Sequence, residues 1–211
     1  MDQIDRIEVA VRTTILQELN TQFGTHWYLD FTKQVFKEAS DQAKWFGDVA
    51  KEVDRAKNQP FIVHYHSTYT SPRLPPSWAV AECLSFEKWS TLYKQLAHGK
   101  SAIASVFGLS APVLESWLHS LNTLRNACAH HGRIWNRALP FNPQSHPHFA
   151  GHFINPSRFY SRAAVIRIMT NVIDDNHYFS DGLRYLFHTN PTVMPAQMGF
   201  PPNWDRDALW V

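Results

Sequence analysis

Apolar residues recur at steps of three and four along the start of the chain: Ile4, Ile7, Val11, Ile15, Leu19 and Phe23. That spacing keeps one helix face apolar, with Asp5, Arg6 and Arg12 falling between. Gly24 sits where a C-terminal cap belongs, so the pattern predicts a helix from Asp2 to Phe23. From Ser40 to Lys57 the pattern is the most polar in the chain and predicts a solvated surface helix. "NQPFIVHYHSTYTSPRLPP" (58–76), rich in proline and β-branched residues, predicts an irregular connector. Ser77 can cap the next helix behind two prolines; Trp78, Cys83, Phe86, Trp89 and Tyr93 then follow at roughly helical intervals, with a break near Ser85.

"KSAIASVFG" predicts a short helix, and Ser110 with Pro112 in the first turn opens a long one running to about His131 and Gly132. Residues 138–157 hold four prolines and predict a long loop. Ser157 can cap a helix through "RFYSRAAVIRIMTNVID", Asp181 to Phe187 forms a shorter one, and residues 190–211 make a tail rich in proline and aromatics. Strand signals are weak and no repeat appears. The expected fold is mainly α: one domain over 1–211, a bundle of about six helices around the Ser110–His131 helix.

Composition narrows the function classes. Hydrophobic residues make up 44%, charged residues 18% and aromatics 14%, which argues for a cored globular chain and against disorder. The formal charge of +2 is too mild for bulk attraction to nucleic acid, so any such surface must be local. Cys83 and Cys128 lie far apart with apolar flanks, which implies a reducing cytoplasm and neither disulfide framework nor zinc ribbon. The N-terminal "MDQIDRIEVAVR" is not a signal peptide, and no run approaches the roughly 20 apolar residues of a membrane span. The chain therefore reads as soluble and cytoplasmic. His146, His148 and His152 cluster in a Pro/Gly loop without matched carboxylate or cysteine spacing, so no metal site is expected.

Helical phase singles out "RNACAHHGRIWNR" (125–137). At about 100° per residue, Leu114, Trp117, Leu118, Leu121, Leu124 and Cys128 form one stripe, and Arg125 falls near its middle. A guanidinium there needs a partner, a cleft or another subunit, because a lone buried charge is costly. Asn126 and His130, four apart, share a face, and the amide can fix the imidazole's orientation. Arg125 and His130 lie roughly 140° apart, so one helix does not easily join them. A purely structural account also exists: histidine suits a helix C-terminus, and Gly132 is a natural C′ residue.

The string "LRNACAHHGRIWNR" resembles the motif of the Abi-like family of bacterial abortive-infection proteins, which are related to the HEPN superfamily of helical domains. "IDRIEVAVRTTI" is similar to that family's Ile-Glu…Arg helix, "LPPSWAVAECLSFEKWSTLY" to its Leu-Pro-x-Trp…Glu…Ser-Phe segment, and "MGFPPNWDRDALW" to its closing Gly-Phe-Pro…Trp segment. Family members commonly carry a further N-terminal segment, and this chain begins where that segment would end. It therefore reads as a short or truncated member.

HEPN ribonucleases carry Arg, four to six residues, then His, usually with a polar residue after the Arg; here Arg125, Asn126 and His130 match. The resemblance implies cofactor-free, metal-independent cleavage of RNA, in which the 2′-hydroxyl attacks the adjacent phosphate. An imidazole can move the protons, and arginine supplies a fixed donor fork for the phosphorane. Asn126 would orient His130, and His131 is a second acid/base candidate. In HEPN enzymes the motif helices of two protomers usually meet across a two-fold axis, so a homodimer is expected. If 133–137 is extended, Arg133, Trp135 and Arg137 share one side and could hold RNA, although Trp135 could instead anchor the chain. Glu82 matches the family's acidic position, as structural partner of Arg12 or Arg125 or as a catalytic accessory. HEPN domains also occur as non-catalytic RNA- or protein-binding and dimerisation modules, and a toxin-like family leaves room for an antitoxin or a regulatory RNA or protein.

Overall fold

A computed structural model describes residues 1–174 and 176–211. The architecture is mainly α: α1 Asp2–Phe23, α2 Ala39–Arg55, α3 Pro60–Thr68, α4 Ser77–Val80, α5 Phe86–Gln95, α6 Lys100–Val106, α7 Ala111–Ala129, α8 Phe159–Ile173 and α9 Tyr178–Thr189. Among the described residues there is no strand, only an isolated bridge between Phe36 and Leu96. No single helix among them is long and apolar enough to cross a membrane.

The chain forms two compact units, one of Val11–Val106 and one of Met1–Ala10 with Phe107–Val211. α1 has the predicted bounds: Ile4, Ile7, Val11, Ile15 and Leu19 are buried, and Gly24 takes the left-handed conformation that ends a helix.

The Val11–Val106 unit is built on aromatic packing. The Trp27 and Trp45 rings stack at 6.4 Å, and Trp89 meets Trp45 edge-on at 5.9 Å. α2 is less purely a surface element than its polarity suggests, since Gln42, Trp45, Val49 and Val53 are buried. The expected connector at 58–76 contains α3. Pro60 occupies its first turn, where the missing N–H costs nothing, and Ile62 and Tyr65 are buried. Ser77 does not cap α4; its hydroxyl donates to Asn20 Oδ1 at 2.6 Å. The break foreseen near Ser85 is real, with a 3-10 turn at Ala81–Cys83 and an extended Leu84 before α5.

In the other unit, α7 packs on α8. The more enclosed of the two is α8, in which every residue from Tyr160 to Thr170 is buried, including Arg162 and Arg167. A helix buried on nearly all sides is a core helix of this unit. The tail packs Phe200 and Trp210 against Tyr160, and Trp204 against both of those rings, with centroids between 4.8 and 6.2 Å apart. The long loop 138–157 is pinned to α7 by Trp117 Nε1 donating to the Gln144 carbonyl at 2.8 Å and by the Gln144 N–H donating to Ser116 Oγ at 2.8 Å.

Candidate functional site

The 125–132 stretch is where α7 loses its cover and stops. Leu114, Trp117, Leu118, Leu121 and Leu124 are buried along the stripe, whereas Arg125, Asn126, Ala127 and Cys128 are all half-buried and Ala129 to His131 are exposed. The helix ends at Ala129, two to three residues before His131 and Gly132. His130 is the C-cap, and His131, rather than Gly132, takes the left-handed C′ position with φ +54°. Two backbone bonds close the end: the Gly132 N–H donates to the Ala127 carbonyl at 2.7 Å and the His131 N–H to Cys128 at 3.0 Å. This is a Schellman pattern in which a histidine holds the position glycine normally fills. Gly132 is needed for closeness instead, since a Cβ there would lie 2.8 Å from the Ala127 oxygen.

Arg125 differs from the two buried arginines of this unit, Arg162 and Arg167. Arg162 is fully buried, and its two terminal nitrogens donate to the carbonyls of Leu139, Pro140, Phe141, Pro156 and Arg158. Arg167 donates to the carbonyls of Leu209 and Asn176 and contacts His177 Nδ1. Arg125 has no such contacts, and its buried Nε finds no hydrogen-bond partner among the described residues. Nor does a side-chain hydrogen bond join Asn126 to His130; these two residues meet through the helix backbone, His130 N–H to Asn126 carbonyl at 3.1 Å. One chain thus presents a guanidinium, an amide and two imidazoles on one helix end, none engaged with another.

Beyond the helix the condition for one-sided alternation, an extended 133–137, is not met. The chain turns at Trp135–Asn136, where Asn136 has φ +48°, and Arg137 Nη1 reaches back to the Arg133 carbonyl at 3.5 Å. Strand alternation therefore does not place Arg133, Trp135 and Arg137 on one side, although all three are exposed. The segment is followed at once by the carbonyls that Arg162 gathers. Arg162 escaped the sequence reading, and its one visible trace was a lone arginine in the apolar run "YSRAAVI".

Glu82 pairs with Arg12, Oε1 to Nη2 at 3.1 Å, and Arg12 also donates to the Ala81 carbonyl at 3.2 Å. Glu82 is 57% exposed, so this is a solvated pair of small energetic weight. The loop histidines go separate ways. His146 Nδ1 accepts the His148 N–H at 3.3 Å. His152 Nδ1 contacts the Tyr160 hydroxyl at 2.8 Å, with its Nε2 3.6 Å from Asp207 Oδ1. Burial lowers the pKa of His152, outweighing the opposite pull of Asp207, and burial raises that of Tyr160. The consistent proton assignment is Tyr160 O–H donating to Nδ1 and the neutral ring's Nε2–H facing Asp207. Among the described residues no group of three His, Cys, Asp or Glu side chains is arranged to hold a metal ion.

Residues 1–136 match the family described as Abi-like protein. The matched span runs from α1 through the 125–136 motif, while the 198–210 segment lies outside it. No curated protein matches the chain, and no solved structure does.

Proposed function

The chain belongs to the Abi-like protein family, and on that premise we propose that it is a metal-independent endoribonuclease of an abortive-infection defence system, acting at the C-terminal end of α7. His130 takes the proton from a ribose 2′-hydroxyl, and the 2′-oxygen attacks the adjacent phosphorus. The bond to the 5′-oxygen breaks, and that oxygen collects a proton from a second imidazole, from His131 or from a second copy of the chain. The products are a 2′,3′-cyclic phosphate and a 5′-hydroxyl. Arg125 neutralises the phosphorane, where charge accumulates, and Asn126 orients the His130 ring.

The observation that carries this reading is Arg125, half-buried with its Nε unpartnered among the described residues, where the buried Arg162 and Arg167 of the same unit each donate to several backbone carbonyls. A second chain across a two-fold axis supplies what one chain lacks. It covers the half-buried turn 125–128 and brings the guanidinium of one helix toward the imidazole of the other. His131 supports the same reading, because a non-glycine residue at φ +54° is backbone strain located where the chemistry is assigned.

The test is cleavage of single-stranded RNA in EDTA by wild type, Arg125→Ala and His130→Ala, with helicity and oligomeric state measured on each. The expected result is a loss of about 10²–10⁴-fold in each variant with fold and dimer intact, and no cleavage at a 2′-deoxy position. Wild-type protein that binds RNA but never cleaves it would instead make the domain a binding module.

A further inference from the structure

In the Val11–Val106 unit, a cavity of about 460 Å³ opens between one face of α2, the end of α3 and the 73–74 loop. Phe46, Ala50, Val53, Asp54 and Lys57 reach it from successive turns of α2 and its end, while Leu29 and Leu74 complete an apolar floor. Its rim carries Lys57, His66 and Arg73 against the single carboxylate of Asp54. The basic side chains here have no ion pair among the described residues, unlike Arg12, Arg55 and Lys88 of the same unit. The loop that presents Arg73 is held in place, with the Tyr65 hydroxyl 2.7 Å from the Pro72 carbonyl and 3.1 Å from that of Leu74. By contrast, the larger cleft beside α9 has its arginine occupied: Arg184 binds Asp181 and the Asp205 and Trp210 carbonyls.

We infer that this cavity binds a 5′-phosphorylated nucleoside, with Arg73 and Lys57 on the phosphate and the base over the Phe46 ring and the aliphatic floor. The arginine fork and the lysine ammonium recognise phosphate oxygens. An aromatic ring beside aliphatic side chains takes a flat base, and Asp54 accepts from a ribose hydroxyl or an exocyclic amine. The volume falls within the range of small-molecule sites, about 300–1,000 Å³. The ligand is either a free mononucleotide or the 5′-phosphate end of an RNA strand.

Calorimetric titration of the full chain with AMP, adenosine and inorganic phosphate tests this. AMP is expected to bind at least about 10-fold more tightly than either fragment. Arg73→Ala and Lys57→Ala should each weaken AMP by about 10-fold while leaving adenosine unchanged, and Phe46→Ala should weaken both. Arg73 and Lys57 are exposed, so these variants keep the fold. Arg125→Ala should leave AMP affinity unchanged, which separates this cavity from the α7 site. Short RNAs with 5′-phosphate or 5′-hydroxyl ends identify the source: Arg73-dependent preference for the phosphorylated strand over AMP assigns the RNA end. Absence of AMP binding up to about 5 mM, or binding indifferent to Arg73 and Lys57, overturns the inference.

Discussion

Replacing Arg162 by methionine tests how the chain leaving α7 is held. Met keeps the apolar stem but removes donors from five carbonyls, at 2.8 and 3.3 Å from Nη1 and at 3.2, 2.6 and 3.2 Å from Nη2. Two effects oppose each other. Orphaning buried carbonyls costs about 1–3 kcal/mol each where water cannot reach them. Removing a buried cation that has no carboxylate partner returns desolvation energy, the cost reflected in a pKa that burial pulls down to about 10. Pro140 and Phe141 are exposed enough for their carbonyls to rehydrate, whereas Leu139 is buried. The full cost therefore applies to only part of the fan, and the net loss is about 2–4 kcal/mol. At about 2–4 °C per kcal/mol for a chain of this size, Tm falls by roughly 4–16 °C. The assay is denaturant and thermal unfolding followed by tryptophan fluorescence, with Arg162→Lys as the intermediate case. A Met variant as stable as wild type would refute the reasoning, since desolvation would then outweigh the five bonds. Because Arg162 grips residues 139–141 immediately after 133–137, the same variant is expected to loosen any RNA contact made by Arg133, Trp135 or Arg137.

Three further predictions concern the helix end and pH. His131→Gly relieves the left-handed strain and should raise stability by about 1 kcal/mol, and Gly132→Ala should lower stability by about 1–2 kcal/mol by forcing Cβ onto the Ala127 oxygen. Thermal melts decide both, and an unstabilised glycine variant would mean that His131 is not strained. His152 has a folded pKa below its ordinary value of 6.5, so the unfolded chain binds the proton first and stability falls as pH drops through about 6.5 and on to the folded pKa. Melts between pH 7.5 and 5 should show a smaller decline in His152→Gln than in wild type; part of the decline persists through His26, whose pKa burial also lowers. Equal declines in the two proteins would show that His152 does not carry the effect.

What was legible in the sequence was periodicity and its interruptions. α1 follows from six apolar residues at helical spacing and a terminal glycine, and both local signals survive into the fold because the burial they demand is satisfied. α7 follows in the same way from Ser110 and Pro112, and Arg125 is visible as a charge on the apolar stripe. The sequence by itself thus determined a mainly α chain of the Abi-like family with its anomaly at residue 125. Tertiary structure decided the rest, where the outcome depends on distant partners. α3 forms in a stretch whose local composition argues for a connector, because Ile62 and Tyr65 find burial there. Arg162 is tolerated in the core because loop carbonyls 20 or more residues earlier in the chain converge on it. His131 takes the left-handed position, and Gly132 follows it where the backbone comes too close to Ala127 for a side chain. Spacing reports which face a residue occupies; a close approach between backbone atoms is set only when the chain has folded.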